Sequence, residues 1–371
     1  MAAGGIVFRN MFGGGSVCAL TRCCLLTGKH SGHTSVRLNG GGTPLRADEE
    51  TIASILKRRG YATGGFGKWG CGGRDSTGVP EKHGFDLFFG YYDQVHAHTY
   101  YPPYLIRNSE EVTLDGNNGG STGKTYANSV IHQEALNFIR KHAQEPFFAY
   151  LPYTPPHGNF DIPNSDPAWA IYKDKPWPED ARRYAAMVTM VDRQMGEVLT
   201  LLKELGIENN TLIFFSGDNG AADYFKSKSF PRGVHSGNKN PQTGVEYRGH
   251  KGQLYEGGIR VPFFAYWPAG GWNRERRNPT LCHAIDVAPT LLEVAHTTAP
   301  PTVKFDARSI RQLLDGVQAP ADWPDRFLVT DSQRVRDPIK WKQTAVMAQD
   351  WRLVNGVELF DMRTDPGQRT N

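Results

Sequence analysis

Apolar residues recur at helical spacing in four stretches of the chain. In residues 49–59, Ile52, Ile55 and Leu56 share one face, and Gly60 follows as a stop. Residues 126–142 repeat the pattern with Val130, Ile131, Ala135, Leu136 and Ile139. Residues 180–205 form the longest candidate, with Met187, Val191, Met195, Val198, Leu199, Leu202 and Leu205 on one stripe and Gly206 behind them. Residues 286–295 read as a helix that tolerates Pro289 near its start. Two continuous apolar runs, 147–151 and 211–215, stand directly behind the second and third of these stretches, and 260–267 reads as a further strand. Helix then buried strand, repeated, predicts an α/β fold: a mixed sheet flanked by helices.

After about Pro300 the texture changes. Residues 326–330, 344–347, 351–354 and 357–360 are short apolar runs separated by turns, and Asn355-Gly356 is a hairpin signal. A small antiparallel sheet is expected there, so the chain divides at 1–300 and 301–371. Gly-, Pro- and Asn-rich residues 28–48, 72–84, 152–180 and 218–258 read as loops. A length of 371 residues suits two domains.

Composition narrows the chemistry. Lys and Arg number 42 against 38 Asp and Glu, a net charge of +4, which argues against nucleic-acid binding by bulk electrostatics. No window approaches the ~18 uninterrupted apolar residues of a spanning helix. The opening residues, Met1-Ala2-Ala3-Gly4-Gly5-Ile6-Val7-Phe8, read neither as a signal peptide nor as a convincing first element. The five cysteines, Cys18, Cys23, Cys24, Cys71 and Cys282, include no CxxC pair, so neither a zinc site nor a disulfide framework is indicated.

Ligands of open α/β sheets bind beyond the carboxyl ends of the strands. The 211–215 run leads straight into Ser216-Gly217-Asp218-Asn219-Gly220, where Asp218 and Asn219 are hard oxygen donors suited to Ca²⁺ or Mg²⁺; a plain Asp-Asn-Gly turn accounts for the same residues. The 147–151 run leads into a Pro-rich loop ending at His157, placed to bind an anion or protonate a leaving group, or simply exposed. Lys68 and Lys251 each stand in a Gly-rich context where backbone and ammonium both approach an anion; solvated lysines are the plain alternative. Cys18 opens an apolar, helical run four residues before Arg22, and a thiol at a helix start has a lowered pKa, although a buried structural cysteine fits too.

Taken together, the order and spacing of these segments resemble the sulfatase family of the alkaline-phosphatase-like superfamily over nearly the whole chain. The resemblance rests on the Cys18-x-x-x-Arg22 signature with its Leu-Leu-Thr-Gly tail, Gly60-Tyr61-Ala62-Thr63…Gly67-Lys68-Trp69, and Lys82-His83-Gly84-Phe85-Asp86…Phe89-Gly90-Tyr91. It continues through Pro146-Phe147-Phe148…His157, Asp218-Asn219-Gly220, Lys251-Gly252…Glu256-Gly257-Gly258-Ile259-Arg260-Val261-Pro262, Asp286-Val287-Ala288-Pro289-Thr290-Leu291 and Glu358-Leu359-Phe360-Asp361…Asp365-Pro366. It implies hydrolysis of aryl or carbohydrate sulfate esters. The nucleophile would be the hydrate of a formylglycine made from Cys18 by a formylglycine-generating enzyme, with Ca²⁺ (or Mg²⁺) as cofactor. Arg22 would stabilise the hydrate, Asp218 and Asn219 would bind the metal, Lys68 and Lys251 would hold sulfate oxygens, and His157 would bind sulfate or assist the leaving alcohol. His96 and His98 would line the substrate pocket. Relatives are mostly exported or lysosomal.

Three features depart from the family pattern. Members begin with an apolar strand ending in paired Asp metal ligands, and this sequence starts after that point, which implies a depleted metal site and an unpaired edge or gap in the sheet. Leu20 stands where the signature has Pro, and Gly70 where many members have His. The alternatives are therefore a catalytically impaired remnant, or a phosphate or phosphonate ester hydrolase of the same superfamily.

Overall fold

A computed structural model of the chain describes residues 1–40, 42–225, 239–240, 243–316 and 325–371. The four helical stretches form helices at Ile52–Lys57, Ala127–Lys141, Glu179–Glu204 and Val287–Val294, and the signature segment forms another at Cys18–Thr27. Of the expected loops, 152–180 contains a short helix, Pro167–Tyr172. Pro167 occupies its first turn, where no amide partner is lost, and the Asp166 carboxylate accepts the Ala168 N–H at 2.8 Å. The 218–258 loop ends in a helical turn, Glu256–Ile259, and falls in part on 226–238 and 241–242, outside the described residues. Position 41 of the 28–48 loop and 317–324 of the C-terminal segment lie outside them too. Among the described residues no helix is long and apolar enough to cross a membrane.

The chain folds as two units, one of residues 1–39, 49–52 and 209–371, the other of 40–48 and 53–208. Residues 301–371 therefore share a unit with 209–300.

In the second unit a five-stranded mixed sheet runs in the order Glu110–Thr113, Tyr104–Arg107, Leu87–Tyr91, Ala62–Lys68, Phe147–Tyr150. Ala62–Lys68 lies parallel to both its neighbours, and the other two pairings are antiparallel. Helix Ala127–Lys141 buries Ile131, Ala135 and Phe138 against Phe66, Phe89 and Leu105 of the sheet. The long Glu179–Glu204 helix is joined to it by a buried bond from Asn128 Nδ2 to Gln194 Oε1 (2.9 Å) and by the His132–Glu197 pair (2.8 Å). Gly67 and Gly90 face each other in register, both with positive φ, and a β-carbon on Gly90 would strike the Gly67 carbonyl. Lys68 is thereby delivered to the carboxyl end of its strand.

In the first unit the sheet order is Arg276–Asn278, Ile6–Phe8, Phe263–Tyr266, Ile213–Ser216. The opening residues thus make a regular element after all: Ile6–Phe8 is an inner strand, parallel to Arg276–Asn278 and antiparallel to Phe263–Tyr266, with Ile6 and Phe8 buried. Each of these two sheets ends in a half-buried apolar edge strand, Ile213–Ser216 in this one and Phe147–Tyr150 in the other. The C-terminal sheet is antiparallel in chain order, Leu328–Asp331, Thr344–Met347, Trp351–Val354, Glu358–Asp361, and both turn residues Asn355 and Gly356 have positive φ, as the hairpin signal requires. Its inner face packs Leu328, Ala345, Met347, Val354 and Phe360 against Phe12, Leu254, Ile259 and Ile285. Under this face the Glu256 carboxylate accepts from Arg260 Nε at 2.7 Å and Arg352 Nε at 3.0 Å, away from water.

His283 marks the same junction. It caps the Ala284–Asp286 turn, and its Nε2 lies 3.1 Å from Thr330 Oγ1 of the C-terminal sheet. Complete burial lowers its pKa from 6.5 to about 3, so the folded state holds it neutral. Its contribution is complete above pH 6.5 and falls away as the pH drops toward 3, because only the unfolded chain takes up the proton. Urea unfolding followed against pH should show stability lost below pH 6.5 with a slope of up to about 1.4 kcal/mol per pH unit from this group, and His283→Asn should remove that part of the slope. An unchanged slope in the variant would show that other groups carry the acid sensitivity.

Candidate active site

Cys18 is the first residue of its helix, behind an extended Val17, and only 3% exposed. The glycine run before it wraps closely against the helix: a β-carbon on Gly14 would overlap that of Cys24, and Thr21 Oγ1 both accepts the Gly15 N–H (2.9 Å) and donates to the Gly15 carbonyl (3.0 Å). The Ala19 N–H donates to Asn39 Oδ1 at 3.1 Å. Arg22 lies one turn on from Cys18, on the same helix face. Its Nη2 donates to Asp218 Oδ2 at 2.9 Å, the arginine side chain being 8% exposed and the aspartate 30%. Asp218 and Asn219 follow the Ile213–Ser216 strand, as expected of a strand end, and the Cys18 thiol lies 3.7 Å from Asn219 Oδ1. Asn219 Nδ2 is held by the Gly220 carbonyl at 2.9 Å, so its oxygen is the atom turned toward Cys18.

Two backbone bonds bring Lys251 to the same place. Its N–H donates to the Ala221 carbonyl (2.8 Å), and the Gly252 N–H donates to the Ser16 carbonyl (2.9 Å). The Lys251 ammonium has no ion-pair or hydrogen-bond partner among the described residues. Cys18, Arg22, Asp218, Asn219 and Lys251 thus gather in the first unit. Cys24 and Cys282 are fully buried, and burial pushes both thiols well up; all five cysteines are free.

Lys68, His98 and His157 belong to the second unit and form a cluster there. Lys68, 1% exposed, places Nζ 3.4 Å from His98 Nε2, and the His98 ring stacks on that of His157 with centroids 4.1 Å apart and planes 9° apart. The His157 loop is anchored by the Lys68 N–H to the Pro152 carbonyl (2.8 Å) and by Tyr100 Oη to the His157 carbonyl (2.8 Å). His96 stands apart from this cluster. Its ring packs between Tyr91 and Tyr104, with centroids 5.0 and 4.6 Å away, and burial lowers its pKa.

The donors for a metal are few. Ca²⁺ takes about 6–8 oxygens, whereas Asp218 and Asn219 offer one carboxylate and one amide oxygen, and the carboxylate already holds a guanidinium. These residues do not by themselves fit a calcium site. Among the described residues the only grouping of three or more His, Cys, Asp or Glu at ligand spacing is His30, His33 and Asp306, whose ligand atoms lie within 4.8 Å of one another. The Gly32 N–H donates to His30 Nδ1 at 3.0 Å, so the ring proton sits on Nε2 and that nitrogen has no lone pair for a metal. The cluster instead pins the segment after the Cys18–Thr27 helix, with the His30 N–H (3.0 Å) and His33 Nδ1 (2.8 Å) both on Asp306.

Sequence reasoning missed Ser16, Asn39 and Ser332. Ser332 Oγ accepts the Ser16 N–H at 3.0 Å and lies 2.6 Å from Ser16 Oγ. No local pattern marks a serine pair 316 positions apart.

The chain belongs to the sulfatase family: the family's model matches residues 1–297, and that of the N-sulphoglucosamine sulphohydrolase C-terminal region matches residues 248–371. It is 30% identical to N-acetylgalactosamine-6-sulfatase of Canis lupus familiaris, over 100% of this chain and 70% of that protein. It is 28% identical to an arylsulfatase of Hemicentrotus pulcherrimus, over 86% of this chain and 57% of the other. Several curated relatives are matched over little more than half their length, down to 51%. Among solved structures, Ps i-CgsB in complex with k-i-k-neocarrahexaose superposes with a TM-score of 0.82 at 24% identity, covering 100% of this chain and 81% of that one. The fold is therefore a sulfatase fold.

The Arg22–Asp218 pair joins helix to strand end and is largely shielded. Arg22→Ala should cost about 2 kcal/mol, because it leaves a part-buried carboxylate without its cation. The Arg22→Ala/Asp218→Ala double variant should cost less than the sum of the two single ones, a coupling of about 1–2 kcal/mol measurable by urea denaturation. Strict additivity would show that the pair contributes nothing of its own.

Proposed function

We propose that the chain is a sulfuric ester hydrolase acting on sulfated carbohydrates and aryl sulfates, with Cys18 as the reacting position. The observation that carries this reading is the setting of Cys18: first helical residue, 3.7 Å from the Asn219 amide oxygen, one turn before an arginine paired with Asp218. The names of the relatives support the substrate class, and their family supports the chemistry.

Conversion of Cys18 to formylglycine by a formylglycine-generating enzyme supplies an aldehyde hydrate, an oxygen nucleophile in place of a thiol. The chain's own residues do the rest. Asn219 Oδ1 accepts a hydrogen bond from the group on residue 18 and so orients it. The amino end of the Cys18–Thr27 helix and the Arg22 guanidinium favour negative charge at that point. Lys251 neutralises a sulfate oxygen. In the second unit His157 is suited to protonate a departing alcohol, the stacked His98 fixes the plane of its ring, and the buried Lys68 adds a cation beside them. His96, packed between two tyrosines, has no part in these steps. No step is routed through a metal, because Asp218 and Asn219 provide too few oxygens for one.

Two measurements test this. Mass spectrometry of the Cys18 peptide should find formylglycine when the chain is produced together with the generating enzyme, and sulfate should be released from an aryl sulfate and from a 6-sulfated N-acetylgalactosamine. Cys18→Ala should abolish release by at least about a thousandfold. An intact thiol at residue 18, with Leu20 two positions on, would instead mark an unconverted remnant. Calcium titration by calorimetry should show no binding tighter than about 0.1 mM, and a micromolar Kd would overturn the reading of the metal donors.

A further inference from the structure

Arg334 lies just beyond the end of the Leu328–Asp331 strand, in the loop leading to the next strand of the C-terminal sheet. The residues before it are fixed and buried. The Asp331 N–H donates to Ser31 Oγ (2.5 Å), Ser332 Oγ takes the Ser16 N–H (3.0 Å), and Gln333 bridges Asp331 Oδ2 (2.5 Å) and the Ile339 N–H (2.6 Å). Arg334 then turns outward in the left-handed region, φ +57°, a conformation that costs an ordinary residue on the order of 1 kcal/mol and persists only where its surroundings impose it. Its Nη2 comes within 3.2 Å of where a β-carbon on Gly252 would stand, directly beside Lys251. Ser16 explains the meeting: its carbonyl takes the Gly252 N–H and its N–H reaches Ser332, so one buried residue, two positions before Cys18, draws both segments together.

Neither Arg334 nor Lys251 has an ion-pair or hydrogen-bond partner among the described residues. Of the two acidic residues three positions from Arg334, Asp331 is engaged by Gln333 Nε2 and by Thr344 Oγ1 (3.0 Å), and Asp337 forms no ion pair with Arg334 among the described residues. With Lys251 taken up by the sulfate being cleaved, a guanidinium on the adjoining segment favours a second negative group on the same ligand. A fork-shaped guanidinium, unlike an ammonium, grips a planar carboxylate or two sulfate oxygens in a fixed direction.

We infer that Arg334 is a specificity-determining residue that binds a second anionic substituent of the substrate, a sulfate or carboxylate other than the sulfate being cleaved. The inference rests on the hydrolase reading above and deepens it: the preferred substrates are sugars carrying at least two negative groups. The loop of the C-terminal sheet is in this view part of the recognition surface and not only a support.

The test uses the full chain and its Arg334→Ala and Arg334→Lys variants, with thermal unfolding checked for each. Binding is measured by calorimetry for three ligands: a monosulfated disaccharide, its disulfated counterpart, and a monosulfated disaccharide bearing a uronate carboxylate. Arg334→Ala should weaken the dianionic ligands about 10- to 100-fold more than the monosulfated one, and Arg334→Lys should restore part of that selectivity. Comparison of the two dianionic arms tells sulfate from carboxylate. Turnover of the same ligands should show the loss in KM more than in kcat. Equal weakening of all three ligands, no weakening, or no selective binding by the wild type would overturn the inference. Because the readout is binding, a chain that releases no sulfate but loses dianion selectivity on Arg334→Ala would count against the hydrolase reading and for Arg334.

Discussion

Glu256 is the carboxylate on which the first unit's arrangement depends. It is closed off from water between the guanidinium groups of Arg260 and Arg352, and its N–H donates to Gln368 Oε1 at 2.7 Å. A buried charge without such partners would be costly, so the three side chains fix one another. The turn that Glu256 begins then supplies two carbonyls to the site segments: Gly258 accepts the Gly220 N–H (2.9 Å), beside Asn219, and Ile259 accepts the Gly13 N–H (2.8 Å), at the start of the glycine run before Cys18. Arg352 comes from the C-terminal sheet and Arg260 from the approach to the Phe263–Tyr266 strand. One carboxylate thereby relates the C-terminal sheet, the Asn219 loop and the glycine loop before Cys18.

The surroundings of Cys18 follow from this frame. Cys18 stands at a helix start, 3.7 Å from an amide oxygen and one turn before a cation. Each arrives on a segment anchored through main-chain atoms, which places it without relying on its own side chain. The same economy holds in the second unit, where register-matched glycines let two strands close up and carry Lys68 to the strand end. The charge that matters is local. A net charge of +4 is unremarkable for a protein of this size, yet Arg334 reaches Gly252, next to Lys251 in the chain, and Lys68 lies against His98, which stacks on His157.

Much of this was legible from residue patterns. The 126–142 and 180–205 stretches became helices within a residue or two, because their apolar stripes are long and regular. The Asp218-Asn219 position at a strand end was readable from the apolar run before it, and Asn355-Gly356 gave away its hairpin. Other elements carried no such mark. Leu87–Tyr91, Tyr104–Arg107 and Glu110–Thr113 are short, interrupted by glycine or charge, and become strands only because neighbours supply their hydrogen bonds. Ile6–Phe8 is too short to announce itself and owes its strand to partners at 263–266 and 276–278. His96 and His98 look alike in the sequence; one turn of 3₁₀ helix sends the first among tyrosines and the second onto His157. Ser16 and Ser332 are ordinary serines until the fold joins them.

The interleaved layout of the two units sets an order of assembly. Residues 53–208 are contiguous and contain every strand of the five-stranded sheet, so that sheet closes with contacts among neighbours in sequence. The loop before Cys18 is the opposite case. Ser16 waits for Ser332 and Gly252, and Cys18 for Asn219, separations of up to 316 residues whose loop closure is slow. The segment around Cys18 is completed only when partners up to 316 residues away are in place. Until then its thiol, 3% exposed in the finished protein, stays open to solvent.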